Sequence, residues 1–490
     1  MRIKDALYIS EQLQKKQFSF EEYLNEITQK YQDWQPKLNA FISFDPDEAL
    51  AYYQKMNQVQ AIRSPFQYLP IPLKGLGQNK KGWLNTAGSR LLANSRAQSN
   101  NHFVNKIEQL GMIPLGQTNI PEYGFKNITD SALHGVCKNP WHLDYYSGGS
   151  SGGAASAVAA GIFPMATASD GGGSIRIPAS FCGLIGLKPT RGTMPVGPNG
   201  WRGWQGASIS FALTVSMRDT ASLFYQMRTS QGAAPYQAPA CEWQHQQALP
   251  PKKLKIAYCL ESPVAKNVSA TAKDAVTAAV KFLVDQGHEV VEIKYPVNLP
   301  ELMVQYYRMN GADTAAMFSQ MEKAFNRHFT VDDMEPMTWA IYQLGQSMSA
   351  SQYVQSLEYW DEAADSMEQL FLTYDLFLTP TTADCAPHLQ TAFLSAEVYE
   401  QLFHAHTLSF AQREALVYDM FAQSLALTPY TQLANLTGQP AISLPTSLSL
   451  QGLPQGIQFM AAKGREDLLF MIGQQFEQAK RFVLPKSYQA

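Results

Sequence analysis

Charge, paired cysteines and long apolar runs are all scarce in this chain of 490 residues. Only 16 % of the residues are charged, the formal net charge is −3, and no run of five or more like charges occurs. The chain therefore lacks the basic surface typical of proteins that bind nucleic acid or anionic membranes. No uninterrupted apolar stretch reaches the roughly 18 residues of a membrane-spanning helix, and the amino terminus lacks the features of a signal peptide.

Metal and redox motifs are missing as well. The five cysteines are odd in number, far apart and in no Cys-x-x-Cys pair, and they are Cys137, Cys182, Cys241, Cys259 and Cys385. The histidines show no ligand spacing, since His404 and His406 are two residues apart and would lie on different faces of a helix. We expect a cytoplasmic protein without metal or organic cofactor, whose partner is a small molecule rather than nucleic acid or membrane.

Short apolar runs that alternate with helical segments predict an α/β fold with helices on both faces of a sheet. Residues 1–65 are predicted to form a helical layer, in which Ser19 and Glu22 have the spacing of a capping box. Residues 66–230 are predicted to contain the core, and residues 254–490 the rest of the sheet with helical insertions. Between them, a stretch rich in Gln, Pro and Ala predicts a surface excursion.

Two helix-like segments, residues 301–372 and 395–426, are rich in Met, Tyr and Phe. One interpretation is a lid over a functional site. The other, which we favour, is that they are peripheral helices that fill the core.

The most informative segment holds two glycine-flanked serine clusters. Ser150 and Ser151 lie in Ser147-Gly-Gly-Ser-Ser-Gly-Gly153, and Ser174 follows Gly171-Gly-Gly173. Glycine lets backbone N–H groups converge on one small volume, and convergent N–H groups beside a serine hydroxyl favour acyl transfer through a stabilised oxyanion. Ser150 and Ser151 are candidates to relay a proton. Each cluster alone is also typical of a tight turn or a phosphate-cradling loop.

A serine nucleophile needs a base, and Lys74 is a candidate. It ends the apolar run that begins at Leu69, so its stem is predicted to leave a buried strand. Desolvation lowers the pKa of a lysine and permits a neutral amine near pH 7. The alternative is a lysine that extends to solvent at the end of a strand.

Asp170 and Arg176 flank the glycine cluster and are expected to pair and hold its curvature. The alternative for this pair is an ordinary ion pair of little energetic value.

These segments together resemble the amidase signature family of Ser-cisSer-Lys hydrolases. The resemblance rests on Gly-Gly-Ser-Ser-Gly-Gly, on Gly-Gly-Ser-Ile-Arg-Ile-Pro-Ala-Ser-Phe-Cys-Gly and on Gly-Leu-Lys-Pro-Thr. Further family landmarks follow in family order over residues 5 to 480, and they are Pro70-Ile-Pro-Leu-Lys74, Thr86-Ala-Gly-Ser89, Gly116-Gln-Thr-Asn119, Asn139-Pro-Trp141, Thr379-Pro-Thr381, Asn435-Leu-Thr-Gly-Gln-Pro-Ala441 and Gly452-Leu-Pro454. The resemblance implies a single domain with a mixed sheet in an α/β/α arrangement.

The resemblance also implies the site. Ser174 would be the acylated nucleophile, Ser150 the bridging serine after a cis peptide bond, and Lys74 the base. The oxyanion hole would comprise the N–H groups of Gly171, Gly172, Gly173 and Ser174, with Ser151, Asp170 and Arg176 in support.

The chain departs from the family pattern at Gly75, where an aspartate is usual, at Gln117, where a lysine is usual, and at Gly171, where a β-branched residue is usual. Residues 198–207 and 427–435 resemble the branch of cyclic-oligoamide hydrolases more than the glutaminase component of amidotransferases.

We therefore predict an amidase, monomeric or homodimeric, that cleaves a carboxamide to an acid and an amine. Three alternatives remain open. The first is a glutaminase-type subunit that passes ammonia to a partner. The second is an esterase-like serine hydrolase with Ser150 as the nucleophile, because Gly148-Gly-Ser-Ser-Gly152 satisfies the Gly-x-Ser-x-Gly pattern. The third and least favoured is a phosphate-binding protein without activity.

Overall fold

The computed structural model describes residues 3–58, 64–238, 253–264 and 266–489. The helices in these residues are α1 (Ala6–Gln14), α2 (Phe20–Leu38), α3 (Pro46–Asn57), α4 (His102–Gln109), α5 (Gly152–Ala159), α6 (Arg176–Cys182), α7 (Met217–Met227), α8 (Ala270–Asp285), α9 (Leu299–Phe325), α10 (Pro336–Gln346), α11 (Ala350–Thr373), α12 (Ala396–Phe403), α13 (Phe410–Leu427), α14 (Gln432–Thr437) and α15 (Glu466–Gln478). The strands are β1 (Phe41–Ser43), β2 (Pro70–Lys74), β3 (Ile113–Thr118), β4 (Asp130–Ser131), β5 (Gly135–Val136), β6 (Lys138–Asn139), β7 (His142–Tyr146), β8 (Ala166–Asp170), β9 (Ile185–Lys188), β10 (Ile209–Thr214), β11 (Lys255–Tyr258), β12 (Glu289–Glu292), β13 (Leu376–Pro380), β14 (Ala441–Leu448) and β15 (Pro454–Met460). Most of the predicted surface excursion, residues 239–252, lies outside the described residues.

The central element is an eight-stranded sheet in the order β12-β11-β13-β15-β14-β9-β10-β8. β11 runs parallel to both β12 and β13, whereas every other neighbouring pair in this sheet is antiparallel. The predicted mixed sheet is therefore confirmed. β1, β3 and β2 form a separate three-stranded sheet in that order.

Both faces of the large sheet are covered by helices, as predicted. Successive side chains of a strand point to opposite faces, and the inner strands divide their apolar residues in that way. The residues on one face pack with α8 and α15 in one core, and they are Ile256, Leu378, Ile442 and Phe459. The residues on the other face pack in a second core with α9, α10, α11, α12 and α13, and they are Ala257, Phe377, Ala441 and Met460.

The second core decides between the two interpretations of the helix-like segments. Their helices bury large side chains, among them Phe318, Trp339 and Trp360, so they fill a core as the favoured interpretation predicts. Helix α9 has a second role, because Asp313 and Thr314 line a cavity described below.

The N-terminal helical layer is also present. The backbone N–H of Ser19 donates to Glu22 Oε2 at 2.7 Å and the N–H of Glu22 donates to Ser19 Oγ at 3.0 Å, so the capping box is confirmed. The helical pattern missed β1, which interrupts this layer and pairs with β3. No helix in the described ranges combines the length and apolarity needed to cross a membrane.

The small sheet places the end of β2 against β8. Thr167, on β8, donates its hydroxyl to the carbonyl oxygen of Pro72 at 3.1 Å and accepts the backbone N–H of Lys74 at 3.1 Å. The residues that follow β2 and β8 are thereby held close together.

Helices α9 and α10 cross at two glycines, which gives a test of this packing. A Cβ on Gly345 would lie 1.9 Å from the carbonyl oxygen of Gly311. Alanine normally favours a helix over glycine, but here we expect Gly345→Ala to lower the free energy of unfolding by about 1–3 kcal/mol because the helices must separate. Urea denaturation measures the change.

Gly232→Ala is the matched control, because a Cβ at that position would meet no atom within 4 Å. A Gly345→Ala protein as stable as the parent would contradict the close crossing.

Candidate active site

The three predicted catalytic residues lie at the ends of elements that the fold brings together. Lys74 ends β2, Ser150 lies two residues before α5, and Ser174 lies in the turn between β8 and α6. Ser150 and Ser174 line the same cavity of about 640 Å³, and Gly171 lines it as well.

The Lys74 side chain is 1 % exposed and faces hydroxyl groups. Its Nζ donates to Ser150 Oγ at 2.8 Å, to Ser169 Oγ at 2.9 Å and to the Ser169 carbonyl oxygen at 3.3 Å. Burial lowers the pKa of Lys74 to about 7, although the charge of Asp170 raises it in part. A substantial fraction of Lys74 is therefore the neutral amine near pH 7, and the alternative in which it extends to solvent is wrong.

Ser169 is a contact that the sequence analysis did not single out. It precedes Asp170 on β8, so the two side chains leave opposite faces of the strand. Ser151 is bound to the backbone of the same residue, since its hydroxyl donates to the Ser169 carbonyl oxygen at 3.2 Å and accepts the Ser169 N–H at 3.4 Å. Ser151 thus fixes the strand that carries Ser169.

The peptide bond between Gly149 and Ser150 is cis, as the resemblance implies. None of the histidines in the described ranges forms a hydrogen bond to Ser150 or Ser174, and His134 instead contacts Thr86 Oγ1 at 2.9 Å. The geometry therefore supplies Ser150 with a lysine and not with the histidine that the Gly-x-Ser-x-Gly alternative requires.

The turn that holds Ser174 is organised by the carboxylate of Asp170. Its Oδ1 accepts the N–H of Gly173 at 2.7 Å and its Oδ2 accepts the N–H of Ile175 at 3.1 Å. Gly173 has a φ of +127° and its missing Cβ would lie 2.3 Å from Thr431 Oγ1, so glycine is required there. The Gly173 N–H is already bound by Asp170, which contradicts its predicted role as an oxyanion donor.

Three other backbone N–H groups of the turn differ from that of Gly173 in having no acceptor among the described residues. The carbonyl oxygen of Gly171 accepts the Tyr306 hydroxyl at 3.1 Å, and that of Gly172 accepts the Thr431 hydroxyl at 2.7 Å. The N–H groups of Gly171, Gly172 and Ser174 have no acceptor in the described part of the chain. They are the remaining candidates to bind an oxyanion.

Asp170 and Arg176 form a buried ion pair rather than an ordinary surface pair. Both side chains are 0 % exposed, and Arg176 Nη2 lies 2.9 Å from Asp170 Oδ1. Arg176 also donates to Gln458 at 2.7 Å and to Asn435 at 2.6 Å, so β8, α6, α14 and β15 meet at this guanidinium. Burial raises the pKa of Asp170, but the charge of Arg176 and the hydrogen bonds from Arg176 and Asn435 outweigh it and lower the pKa to about 2.

Trp204 explains why glycine stands at position 171. A Cβ on Gly171 would lie 2.7 Å from the indole ring of Trp204, so a β-branched residue and this tryptophan exclude each other. The ring stacks on Phe125 with centroids 5.9 Å apart and an angle of 6° between the planes. This aromatic pair lines both the 640 Å³ cavity and a second cavity of about 60 Å³, and Ser174 also lines both.

The other two departures have structural partners. Gln117 donates to the Leu84 carbonyl oxygen at 2.8 Å and accepts the Ser43 hydroxyl at 3.2 Å. The N–H of Gly75 donates to the Thr118 carbonyl oxygen at 3.1 Å. Neither residue supplies a reacting group.

The buried pair makes a prediction about stability. Replacing Arg176 by methionine would leave the Asp170 carboxylate buried without its cation, so we expect Arg176→Met to lower the free energy of unfolding by about 3–5 kcal/mol in urea denaturation. Lys30→Met is the control, because Lys30 pairs with Glu26 at the surface and its loss is expected to cost under about 1 kcal/mol. Equal effects of the two changes would contradict a structural role for the buried pair.

Comparisons with known proteins identify relatives of the chain. A family model described as Amidase matches residues 22–470. A lipoamidase from Enterococcus faecalis is 40 % identical over 442 residues, which cover 90 % of this chain and 58 % of that protein. The chain therefore spans less than two thirds of the length of that relative.

Two further relatives match over nearly their whole length. A 6-aminohexanoate-cyclic-dimer hydrolase from Paenarthrobacter ureafaciens is 29 % identical over 491 residues, 98 % of this chain and 95 % of that protein. The solved structure of 6-aminohexanoate cyclic dimer hydrolase with its substrate has a TM-score of 0.88 at 28 % identity and covers 99 % of each chain. A glutamyl-tRNA(Gln) amidotransferase component from Thiobacillus denitrificans is 29 % identical over 515 residues, 98 % of this chain and 96 % of that protein.

Proposed function

The chain belongs to the amidase family of hydrolases that act on carbon–nitrogen bonds, and we propose that it cleaves a carboxamide through an acyl-enzyme on Ser174. The observation that carries this proposal is the 2.8 Å hydrogen bond between the buried Lys74 Nζ and Ser150 Oγ, beside a cavity that Ser174 also lines. A lysine with a pKa of about 7 can accept a proton at neutral pH, which an ordinary lysine cannot.

In the proposed first step, neutral Lys74 takes the proton of the Ser150 hydroxyl while Ser150 takes the proton of the Ser174 hydroxyl. Ser174 Oγ then forms a bond to the carbonyl carbon, and the electron pair of the C=O bond moves to its oxygen. The N–H groups of Gly171, Gly172 and Ser174 are proposed to bind that oxyanion.

The carbon–nitrogen bond breaks next. The electron pair of that bond stays with the nitrogen, which takes a proton from Ser150 as Lys74 returns one to Ser150. Water then gives a proton to the relay and attacks the acyl carbon, and the bond between that carbon and Ser174 Oγ breaks. The acid is released and Ser174 Oγ takes a proton back from the relay, which regenerates its hydroxyl. No metal or organic cofactor enters these steps.

We propose an apolar or aromatic acyl group as the substrate class. The lining of the 640 Å³ cavity includes polar side chains, among them Arg202 and Asp313, and six aromatic ones, which are Phe103, Tyr123, Phe125, Trp201, Trp204 and Tyr236. Relatives named lipoamidase and 6-aminohexanoate-cyclic-dimer hydrolase support an amide as the substrate. Linear and cyclic amides both remain candidates.

A reducing, cytoplasmic compartment is part of the proposal. It is supported by four cysteines that are buried and not in disulfides, which are Cys137, Cys182, Cys259 and Cys385. A monomer or a homodimer is expected. The alternative of a glutaminase-type subunit rests on the more distant amidotransferase relative and would require glutamine as substrate and a partner enzyme.

The identity of the nucleophile is testable with a fluorophosphonate probe. We expect one probe-sized mass gain in the intact protein, because a serine activated by a base reacts with phosphorus electrophiles. Ser174→Ala is expected to abolish both the gain and the hydrolysis of aryl and aliphatic amides. Ser366→Ala is the control and is expected to keep the gain, because the Ser366 hydroxyl lies at the surface and donates to the Glu362 carbonyl oxygen at 3.0 Å.

Labelling that persists in Ser174→Ala but disappears in Ser150→Ala would instead favour the esterase-like alternative. Near-native amide hydrolysis by a folded Ser174→Ala protein would overturn the proposal.

The low pKa of Lys74 predicts the pH dependence. Below a pH of about 7 the ammonium form accumulates and cannot accept a proton, so kcat/KM is expected to fall about tenfold per pH unit. Above that pKa the neutral amine predominates and kcat/KM is expected to reach a plateau. Initial rates on an amide without titratable groups, between about pH 5.5 and 9, measure the profile. A profile that is flat over this range would contradict Lys74 as the base.

A further inference from the structure

The large cavity that Ser174 lines contains one carboxylate among its described residues. This carboxylate belongs to Asp313 on helix α9, and the residue keeps part of its surface accessible. No Lys, Arg or His in the described ranges forms an ion pair with it, and burial raises its pKa. A partly desolvated carboxylate without a cation is costly, so Asp313 indicates a cationic ligand in the cavity.

The two basic residues of the same lining are directed elsewhere. The guanidinium of Arg191 donates to three backbone carbonyl oxygens, at 3.0, 2.8 and 2.7 Å. Arg202 is exposed, and its guanidinium lies over the ring of Tyr236, 5.8 Å from the centroid. The charge of Asp313 is therefore the one in this lining that is left for a ligand.

Hydrogen bonds hold this carboxylate at the wall of the cavity. The Tyr236 hydroxyl donates to Gln205 Oε1 at 3.3 Å, so Gln205 presents its amide nitrogen to Asp313 and donates to Oδ1 at 3.4 Å. The backbone N–H of Trp204 is a second donor to Asp313. A carboxylate has about four lone-pair sites, so two neutral donors leave acceptor capacity for a ligand.

Helix α9 sets the distance between this carboxylate and the turn that carries the nucleophile. Tyr306, whose hydroxyl binds the Gly171 carbonyl oxygen at 3.1 Å, lies two turns before Asp313 and therefore on the same face. A rise of about 1.5 Å per residue separates the two positions by about 10 Å. Trp204 spans this interval, because its ring packs on Tyr306 with centroids 6.0 Å apart and its N–H reaches Asp313.

We propose that Asp313 is a specificity-determining residue that binds an ammonium group at the far end of an apolar acyl chain. The chain lies along Trp204, with its carbonyl group at Ser174 and its ammonium at the carboxylate. This inference rests on the proposed function and narrows its acyl class to chains that end in a cation. Asp313 is remote from the reacting atoms and takes no part in the proton transfers.

The test compares two p-nitroanilides with acyl chains of equal length. The 6-aminohexanoyl substrate ends in an ammonium group and the heptanoyl substrate in a methyl group. Rates are measured at about pH 8, where an alkyl ammonium keeps its proton. Asp313→Asn keeps an oxygen for Gln205 and removes the charge. We expect it to lower kcat/KM for the aminohexanoyl substrate at least about tenfold and to change the heptanoyl substrate less than about threefold.

Asp274→Asn is the matched control. Asp274 is an exposed aspartate on α8 that lines neither cavity, so its ratio of the two kcat/KM values is expected to equal that of the parent. Asp313→Lys serves as a second variant if the asparagine variant does not fold. It reverses the charge and is expected to favour a mono-anilide of adipic acid, whose acyl chain ends in a carboxylate, over the aminohexanoyl substrate.

An equal loss for both substrates in Asp313→Asn would show that Asp313 only holds the turn at Trp204, and would overturn the inference. An unchanged ratio, or a parent that does not hydrolyse the aminohexanoyl substrate, would overturn it as well. Failure of the proposed function is a separate result, since Ser174→Ala would then hydrolyse both substrates whatever stands at position 313.

Discussion

The buried ion pair between Asp170 and Arg176 is the interaction on which the arrangement of the site depends. A buried charge without a partner is costly, so Asp170 and Arg176 must pair when the chain folds. Asn435 and Gln458 bind the same pair, and these contacts hold together the end of β8, the start of α6, α14 and β15. The carboxylate also binds the N–H groups of Gly173 and Ile175, and so the turn that carries Ser174 takes its shape from the same charge.

The second constraint is the exclusion of water from Lys74. Thr167 holds the backbone of Lys74 against β8, and the amine then faces only hydroxyl and carbonyl oxygens of Ser150 and Ser169. The same burial that makes the ammonium costly makes the neutral base available. The packing of β2 against β8 that buries Lys74 is therefore also the cause of its lowered pKa.

The aromatic pair of Phe125 and Trp204 borders both cavities that Ser174 lines. Trp204 occupies the space that a β-branched residue at position 171 would fill, and with Phe125 it lies between the two cavities that Ser174 lines. Helix α9 contributes to both sides, with Asp313 and Thr314 in the large cavity and Asn310 in the small one. Helix α9 therefore fills the second core and also lines both cavities, whereas the two interpretations from sequence treated a core role and a position over the site as alternatives.

The sequence by itself determined the α/β class, the family, and the residue types of the site, because glycine-flanked serines, a lysine after an apolar run and the capping box of Ser19 are local patterns. The local patterns did not indicate β10, or β14, in which Pro445 lies at a register shift. They also did not indicate the contact between Ser169 and Lys74, whose partners come from distant segments. Only the tertiary structure decided that Lys74 is buried against Ser150, that the Gly173 N–H is bound by Asp170, and that Asp313 and Ser174 share a cavity. Desolvation, hydrogen-bond partners and cavities are properties of segments far apart in the chain, so no local pattern specifies them.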